Sequence, residues 1–290
     1  MKATLIVNPS AGGGRAGRTL PAVQQEMERL GIEHHVERTQ SLQHAGDLAQ
    51  AAVDADEVAV AFGGDGIVGA VAGALRHSDG ILGVLPGGRG NDFARVLGIP
   101  LEPVTACSVL KHGTAKALDL GQAGEQTFIG IASCGFDSEA NRIANDTRLV
   151  RGNLVYAYGA IRALVAWRPA TFHVSLDGAE PKTITGYTIA AANSKAYGGG
   201  MLLAPDASLE DGMLDVVMVE HAPRRRFLRL LPTVFKGEHV RQPNVQVARA
   251  ARIEISSDRS FMMYADGDPI GELPITVRCL PGAVNVLTPR

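Results

Sequence analysis

Val58-Ala59-Val60-Ala61-Phe62-Gly63-Gly64-Asp65-Gly66-Ile67-Val68-Gly69-Ala70-Val71-Ala72-Gly73-Ala74-Leu75 decides the fold. Five consecutive apolar residues, Val58–Phe62, fit a strand buried on both faces. Four residues with three glycines stop it, and an apolar helical stretch from Ile67 to Leu75 follows. Strand, glycine turn and helix recur on either side. Upstream, Thr4–Val7 ends at Asn8-Pro9 and Gly12-Gly13-Gly14, before a helix with Val23, Met27 and Leu30 on one face and Gly31 as its stop. Ile32–Val36 reads as the second strand and Ala45–Val53 as an Ala-rich helix. Downstream, Ile81–Leu85 is a fourth strand, ended by Pro86-Gly87-Gly88, with a helix starting near Asn91. Strands alternating with helices predict a parallel sheet covered by helices.

After about residue 120 the pattern changes to short strand-like runs: Thr127–Ala132, Thr171–Leu176, Ile184–Ala191, Leu214–Val219, Val245–Ile255, Phe261–Tyr264 and Ile275–Leu280. Asp177-Gly178, Asp211-Gly212 and Asp266-Gly267 separate some of them, which predicts an antiparallel sheet. Helices are expected at about 151–167 and 224–236. The fold class expected is therefore α/β with two domains. Residues 1–125 form an α/β nucleotide-binding domain, residues 126–279 a β-rich domain, and residues 280–290 return to the first.

A formal net charge of −2 gives no global attraction to nucleic acid or to an anionic membrane. Cys107, Cys134 and Cys279 have neither zinc-site nor CxxC spacing and are read as reduced, buried thiols of a cytoplasmic protein. His34-His35 and the other histidines show no metal-ligand spacing. No apolar run approaches the roughly 18–20 residues that a membrane span needs, so the expectation is a soluble or at most peripheral protein. Arg224-Arg225-Arg226-Phe227-Leu228-Arg229-Leu230-Leu231-Pro232-Thr233-Val234-Phe235-Lys236 combines basic and apolar residues. It fits a helix that covers the sheet with a solvated basic end, the preferred reading, or one lying on anionic lipid.

Gly12-Gly13-Gly14-Arg15-Ala16-Gly17 satisfies GxGxxG, with Glu37 at a distance suited to a ribose-binding acid, as in dinucleotide-binding domains. Three strand ends carry glycine loops here, however, where such a domain needs one. In a parallel sheet those ends share an edge, and three loops there can surround a polyphosphate with backbone N–H groups. There is no GxxxxGK[ST], which excludes a Walker-type site. Asp65 beside a phosphate requires a cation between them. An isolated Asp-Gly is more often a surface turn, but the flanking strand and helix argue for a built loop.

Gly63-Gly64-Asp65-Gly66, together with Leu85-Pro86-Gly87-Gly88-Arg89-Gly90-Asn91-Asp92-Phe93-Ala94-Arg95, resembles the bacterial diacylglycerol kinase family, which includes sphingosine-kinase-like enzymes. The likeness extends along the chain. Asn8-Pro9-Ser10-Ala11-Gly12 is similar to the family's opening nucleotide loop, and Thr39 to its threonine after strand two. Gly130 to Asp137, Asn193 to Ala207, Asp211 to Asp215, and Asp266-Gly267-Asp268 match later motifs. GGDG alone would also fit NAD kinases.

The resemblance implies ATP in a cleft between the domains. Its contacts would come from Asn8, Pro9, Ser10, Ala11, Gly12, Thr39, Gly63, Gly64, Asp65, Gly66, Ile67, Arg89, Asn91 and Asp92, with Mg²⁺ at the phosphates. It further implies transfer of the γ-phosphate to a lipid hydroxyl at a membrane surface. The general base would be Asp268, where the family has glutamate, with Asp266 as the other candidate and Glu272 a remote third. A second Mg²⁺ site would use Asp211 and the main-chain carbonyls of Ser208 and Met213. A homodimer is compatible with the family. Two departures stand out: Ile67 and Arg89 occupy positions where threonine is usual. Arg89 can compensate through its fork of donors. Other readings are a kinase of NAD or another soluble alcohol, a dehydrogenase, and a non-catalytic lipid- or nucleotide-binding protein. The acceptor itself is open among diacylglycerol, sphingoid base, phosphatidylglycerol and glycolipid.

Overall fold

The computed structural model describes residues 1–136, 138–140, 143, 162–164 and 166–290. The chain begins with β1 (Lys2–Val7), α1 (Ala11–Arg29), β2 (Glu33–Arg38), α2 (Leu42–Asp54), β3 (Val58–Gly63), α3 (Asp65–Ala74) and β4 (Ile81–Pro86). β2, β1, β3 and β4 lie side by side and parallel. β3 is the innermost of the first three, and its Ala59–Phe62 are fully buried. That explains its unbroken apolar run, because helices cover both faces of a parallel sheet. Two short helices, α4 (Asp92–Val96) and α5 (Pro103–His112), lead to β5 (Thr114–Ala123). The buried side chains of α1, Ala16, Leu20, Val23 and Met27, recur at helical spacing and join those of α2 and α3 in one core.

The second part is antiparallel: β6 (Gln126–Phe128), β7 (Ile131–Gly135), β8 (Ala170–Leu176), β9 (Lys182–Ala192), β10 (Leu214–Glu220), β11 (Val245–Ala250), β12 (Arg252–Ser257), β13 (Met262–Ala265), β14 (Asp268–Glu272) and β15 (Ile275–Thr288). Among the described residues all strands belong to one continuous hydrogen-bonded sheet. β15 joins its two parts. Its first residues pair with β12, its length runs antiparallel to β5, and Asn285 and Val286 pair in parallel with Ile81 and Leu82 of β4. Segment 224–236 forms α6 (Arg224–Leu230) and a 3₁₀ turn over Leu231–Lys236. The helix expected at about 151–167 lies outside the described residues, apart from 162–164 and 166, which are helical, and Trp167, which is not. Asp137 is also outside them.

Two expected strands are divided. The run Thr127–Ala132 breaks between β6 and β7, where the N–H groups of Ile129, Gly130 and Ile131 all donate to the Asp266 carboxylate instead of a ladder. The run Val245–Ile255 breaks at Ala251. Val245 and Ala250 are buried, and so are Ile253 and Ile255, while Val247 is 44% exposed. A single strand of strict two-residue period cannot bury that set. β11 pairs with β10, whereas β12 pairs with β8 and β15.

Candidate active site

The carboxyl ends of β1, β3 and β4 face the same way, and the three glycine loops meet there. A methyl group added to Gly88 would lie 2.4 Å from the Gly64 Cα, and one added to Gly12 would lie 2.4 Å from the Gly87 carbonyl oxygen. Gly12 also has φ +60°, in the left-handed region that glycine enters without penalty. The loops are cross-tied. The amides of Gly87 and Gly88 donate to the Gly63 carbonyl at 2.7 and 3.0 Å, and the Asn8 amide donates to the Phe62 carbonyl. The Asn8 carboxamide oxygen accepts from the Ser10 amide and hydroxyl, which shapes the first loop around Pro9 and Ala11. Thr39 sits at the adjoining end of β2. Its amide donates to the Val7 carbonyl, and its hydroxyl to the Ser41 carbonyl.

α3 begins at this junction with Gly64 as its N-cap and Asp65 and Gly66 in its first turn. An acid there is favoured by the helix dipole. Asp65 Oδ1 accepts from the Phe93 amide at 3.1 Å. Ile67 is buried to 2% exposure, with its Cγ2 beneath Gly63, so it gives a ligand no side-chain group. Asn91, at φ +50°, exchanges hydrogen bonds with Gly88 in both directions and fixes the third loop. Arg89 is exposed. Asp92 Oδ2 accepts from the Gly199 amide at 2.7 Å, which ties the glycine triplet 198–200 to this edge. Among the described residues Asp92 Oδ1 is buried without a hydrogen-bond partner. Burial raises the Asp92 pKa, the Gly199 N–H opposes the rise, and the Asp65 charge adds to it.

A methyl group at Gly90 would be 3.1 Å from Asp92 Oδ2 and 3.2 Å from Asp65 Oδ2, so both carboxylates border one small space. Two carboxylates bordering one space fit a hard divalent cation. Among the described residues no three His, Cys, Asp or Glu side chains converge on a metal position. A cation would therefore complete its shell with phosphate oxygens and water, as Mg²⁺ commonly does.

At the second magnesium position the Asp211 carboxylate already has partners. Asp211 Oδ1 accepts from the Met213 amide, and Oδ2 is paired with the Arg249 guanidinium. The Ser208 hydroxyl accepts from the Glu210 amide. A cation at Asp211 would have to displace Arg249. What holds this turn is Asp119 on β5, which the sequence reading passed over. Its Oδ1 accepts from the Gly282 amide and its Oδ2 from the Gly212 amide, at 2.7 and 2.6 Å. The signal was an acid set between Leu118 and Leu120 in an apolar run.

The Asp266-Gly267 turn joins β13 to β14, with Ala265 opposite Asp268. Both turn residues have positive φ, as a two-residue hairpin requires. The two candidate bases differ in surroundings. Asp266 receives the three N–H groups of Ile129–Ile131, and burial nevertheless raises its pKa to about 6, with the nearby Asp65 charge adding to the rise. Asp268 keeps an exposed face, while partial burial of its carboxyl raises its pKa. A carboxylate held by three donors is suited to positioning, and one with free lone pairs to accepting a proton.

The raised Asp266 pKa has a consequence for stability. Between the unfolded value near 3.8 and the folded value near 6, the folded state binds more protons than the unfolded state. Its contribution to stability therefore falls as pH rises through about 4 to 6. Thermal unfolding followed over that range should show this decline, and Asp266→Asn should flatten it. An unchanged profile in the variant would assign the effect elsewhere.

Two family descriptions match the chain: a diacylglycerol kinase catalytic domain over residues 2–123 and a YegS C-terminal NAD kinase beta sandwich-like domain over residues 130–288. A diacylglycerol kinase from Mycobacterium tuberculosis is 34% identical, covering 100% of this chain and 96% of its own length. The chain belongs to the diacylglycerol kinase family. A diacylglycerol kinase of Bacillus subtilis is 31% identical over 100% of this chain and 97% of that protein. In structure, a diacylglycerol kinase from Bacillus anthracis superposes with TM-score 0.76 at 20% identity, covering 99% and 96% of the two chains. An Archaeoglobus fulgidus NAD kinase solved with ATP shares the fold, with TM-score 0.53 at 14% identity and coverage of 99% and 94%. As a diacylglycerol kinase family member the chain is a nucleotide-binding phosphotransferase with an α/β first part and an antiparallel second part.

Proposed function

We propose that this chain transfers the γ-phosphate of ATP to the hydroxyl of a diacylglycerol-like lipid, with Asp268 as general base. The observation that carries this reading is the Asp266 clamp. It fixes the β13–β14 turn beside Asp65, and Asp268 follows two residues later with its own carboxyl unblocked. ATP supplies the phosphoryl group, and Asp65 and Asp92 would hold Mg²⁺, which would offset the phosphate charge. The glycine loops present N–H groups to the phosphates, and Arg89 adds donors where threonine is usual. Asp268 takes the acceptor's hydroxyl proton as the new O–P bond forms and the bond to the ADP oxygen breaks.

A cavity of about 380 Å³ has mixed walls, with Trp167, Phe261, Met262 and Tyr264 beside Glu139, Arg168 and Arg259, which is compatible with an amphipathic acceptor. Arg259 lies over the Trp167 and Phe261 rings. Tyr264 belongs to β13, the strand that leads into the Asp266 turn. Another cavity, of about 420 Å³, is bordered by His173, Ser175, Glu254 and Thr276 and by none of the candidate site residues. It has no part in this reading.

The test is transfer of labelled γ-phosphate from Mg-ATP to diacylglycerol in detergent micelles, beside sphingoid base, phosphatidylglycerol and a soluble alcohol. Labelled lipid that disappears with Asp65→Ala is the expected result. Label on the soluble alcohol alone would overturn the lipid assignment.

A further inference from the structure

Segment 224–236 has two faces. Phe227 and Leu230 are buried, and Phe227 stacks on Tyr187 at 4.0 Å and meets Phe136 edge-on at 4.8 Å. The covering-helix reading is therefore satisfied by the inner face alone. On the outer face a helical period places Arg225, Leu228 and Arg229 together. Leu228 is 47% exposed and Phe235, in the following 3₁₀ turn, 57%. These are two of only five large apolar side chains so exposed among the described residues, and they share one thirteen-residue stretch. Arg225, Arg226, Arg229 and Lys236 surround them, all exposed and without an ion pair among the described residues. Arg224 differs, since it donates to the Trp167 carbonyl. Exposed Leu and Phe set among unpaired cations match the chemistry of an anionic bilayer surface. Cations meet lipid phosphates, and the apolar tips enter the headgroup boundary.

We propose that the outer face of 224–236 docks this protein on anionic lipid bilayers. The face connects to the active site through backbone. The Leu202 amide donates to the Val234 carbonyl at 3.0 Å, and Leu202 follows directly on the loop whose Gly199 amide holds Asp92. The inference draws its purpose from the lipid-kinase reading, but its test needs neither nucleotide nor turnover.

The full chain would be sedimented with phosphatidylcholine vesicles, with and without phosphatidylglycerol. Wild type should sediment with the anionic vesicles only. Arg225→Gln/Arg226→Gln/Arg229→Gln should lower its partitioning by about tenfold or more. Leu228→Ser/Phe235→Ser should lower it by a similar factor. Val247→Ser, at another exposed apolar position, should sediment as wild type does, and thermal melts would show that all variants fold. Equal sedimentation of wild type and both multiple variants would overturn the proposal, as would binding indifferent to phosphatidylglycerol. Vesicle binding by an enzyme that phosphorylates only a soluble alcohol would support the docking face and sink the lipid-kinase reading alone.

Discussion

Asp268→Asn should lower turnover by about 10²–10⁴-fold, the usual share of general-base catalysis, while nucleotide affinity stays within about twofold. The substitution preserves the size of the side chain and removes its ability to accept a proton. Asp268 lies on the exposed side of the β13–β14 hairpin and is not one of the groups that hold the turn, so the fold should not respond. Asp266→Asn makes the contrast. There the carboxylate has three backbone donors, and weakening that set should affect thermal stability as well as rate. Steady-state kinetics with ATP titration, run beside thermal melts, separates the two. Wild-type turnover in Asp268→Asn would remove it from the chemistry and return attention to Asp266.

Gly88→Ala should cost about 10²-fold in kcat/KM for ATP, because a shift near 1 Å in positioning groups has effects of that size. The added methyl would stand 2.4 Å from the Gly64 Cα, a contact with backbone that no rotamer change relieves. The loops after β3 and β4 would have to separate, carrying with them the Asn91 bonds to Gly88 and the Asp65 bond to the Phe93 amide. Overpacking of this kind also lowers stability by about 1–3 kcal/mol. Kinetics and melting indistinguishable from wild type would mean that the loops are looser than their contacts suggest.

The α/β pattern was legible because each parallel strand is an apolar run cut off by glycine, and buried strands have few other ways to look. The loops could be located for the same reason, and Gly12, Gly63, Gly64 and Gly88 do meet. Less could be read where a side chain redirects backbone. Nothing near Thr127 announces that Ile129–Ile131 give their N–H groups to a carboxylate more than a hundred residues away. β5 was missed because its exposed start, Thr114–Ala117, resembles a loop, and its long partner β15 lies at the other end of the chain. The expectation of metal at Asp211 came from resemblance, and sequence distance hid Arg249, which is brought beside it by the pairing of β10 with β11.

β15 has one more consequence, which concerns synthesis. The strand that covers the outer edge of β4 and supplies Val284, Val286 and Leu287 to the first core is translated after all the other strands described. Until it arrives, Ile81 and Leu82 present an unpaired hydrogen-bonding edge, a template for unwanted strand addition. The nascent nucleotide-binding half should therefore stay incomplete on the ribosome through some 160 further residues, and it reaches its final form only when both halves of the kinase exist.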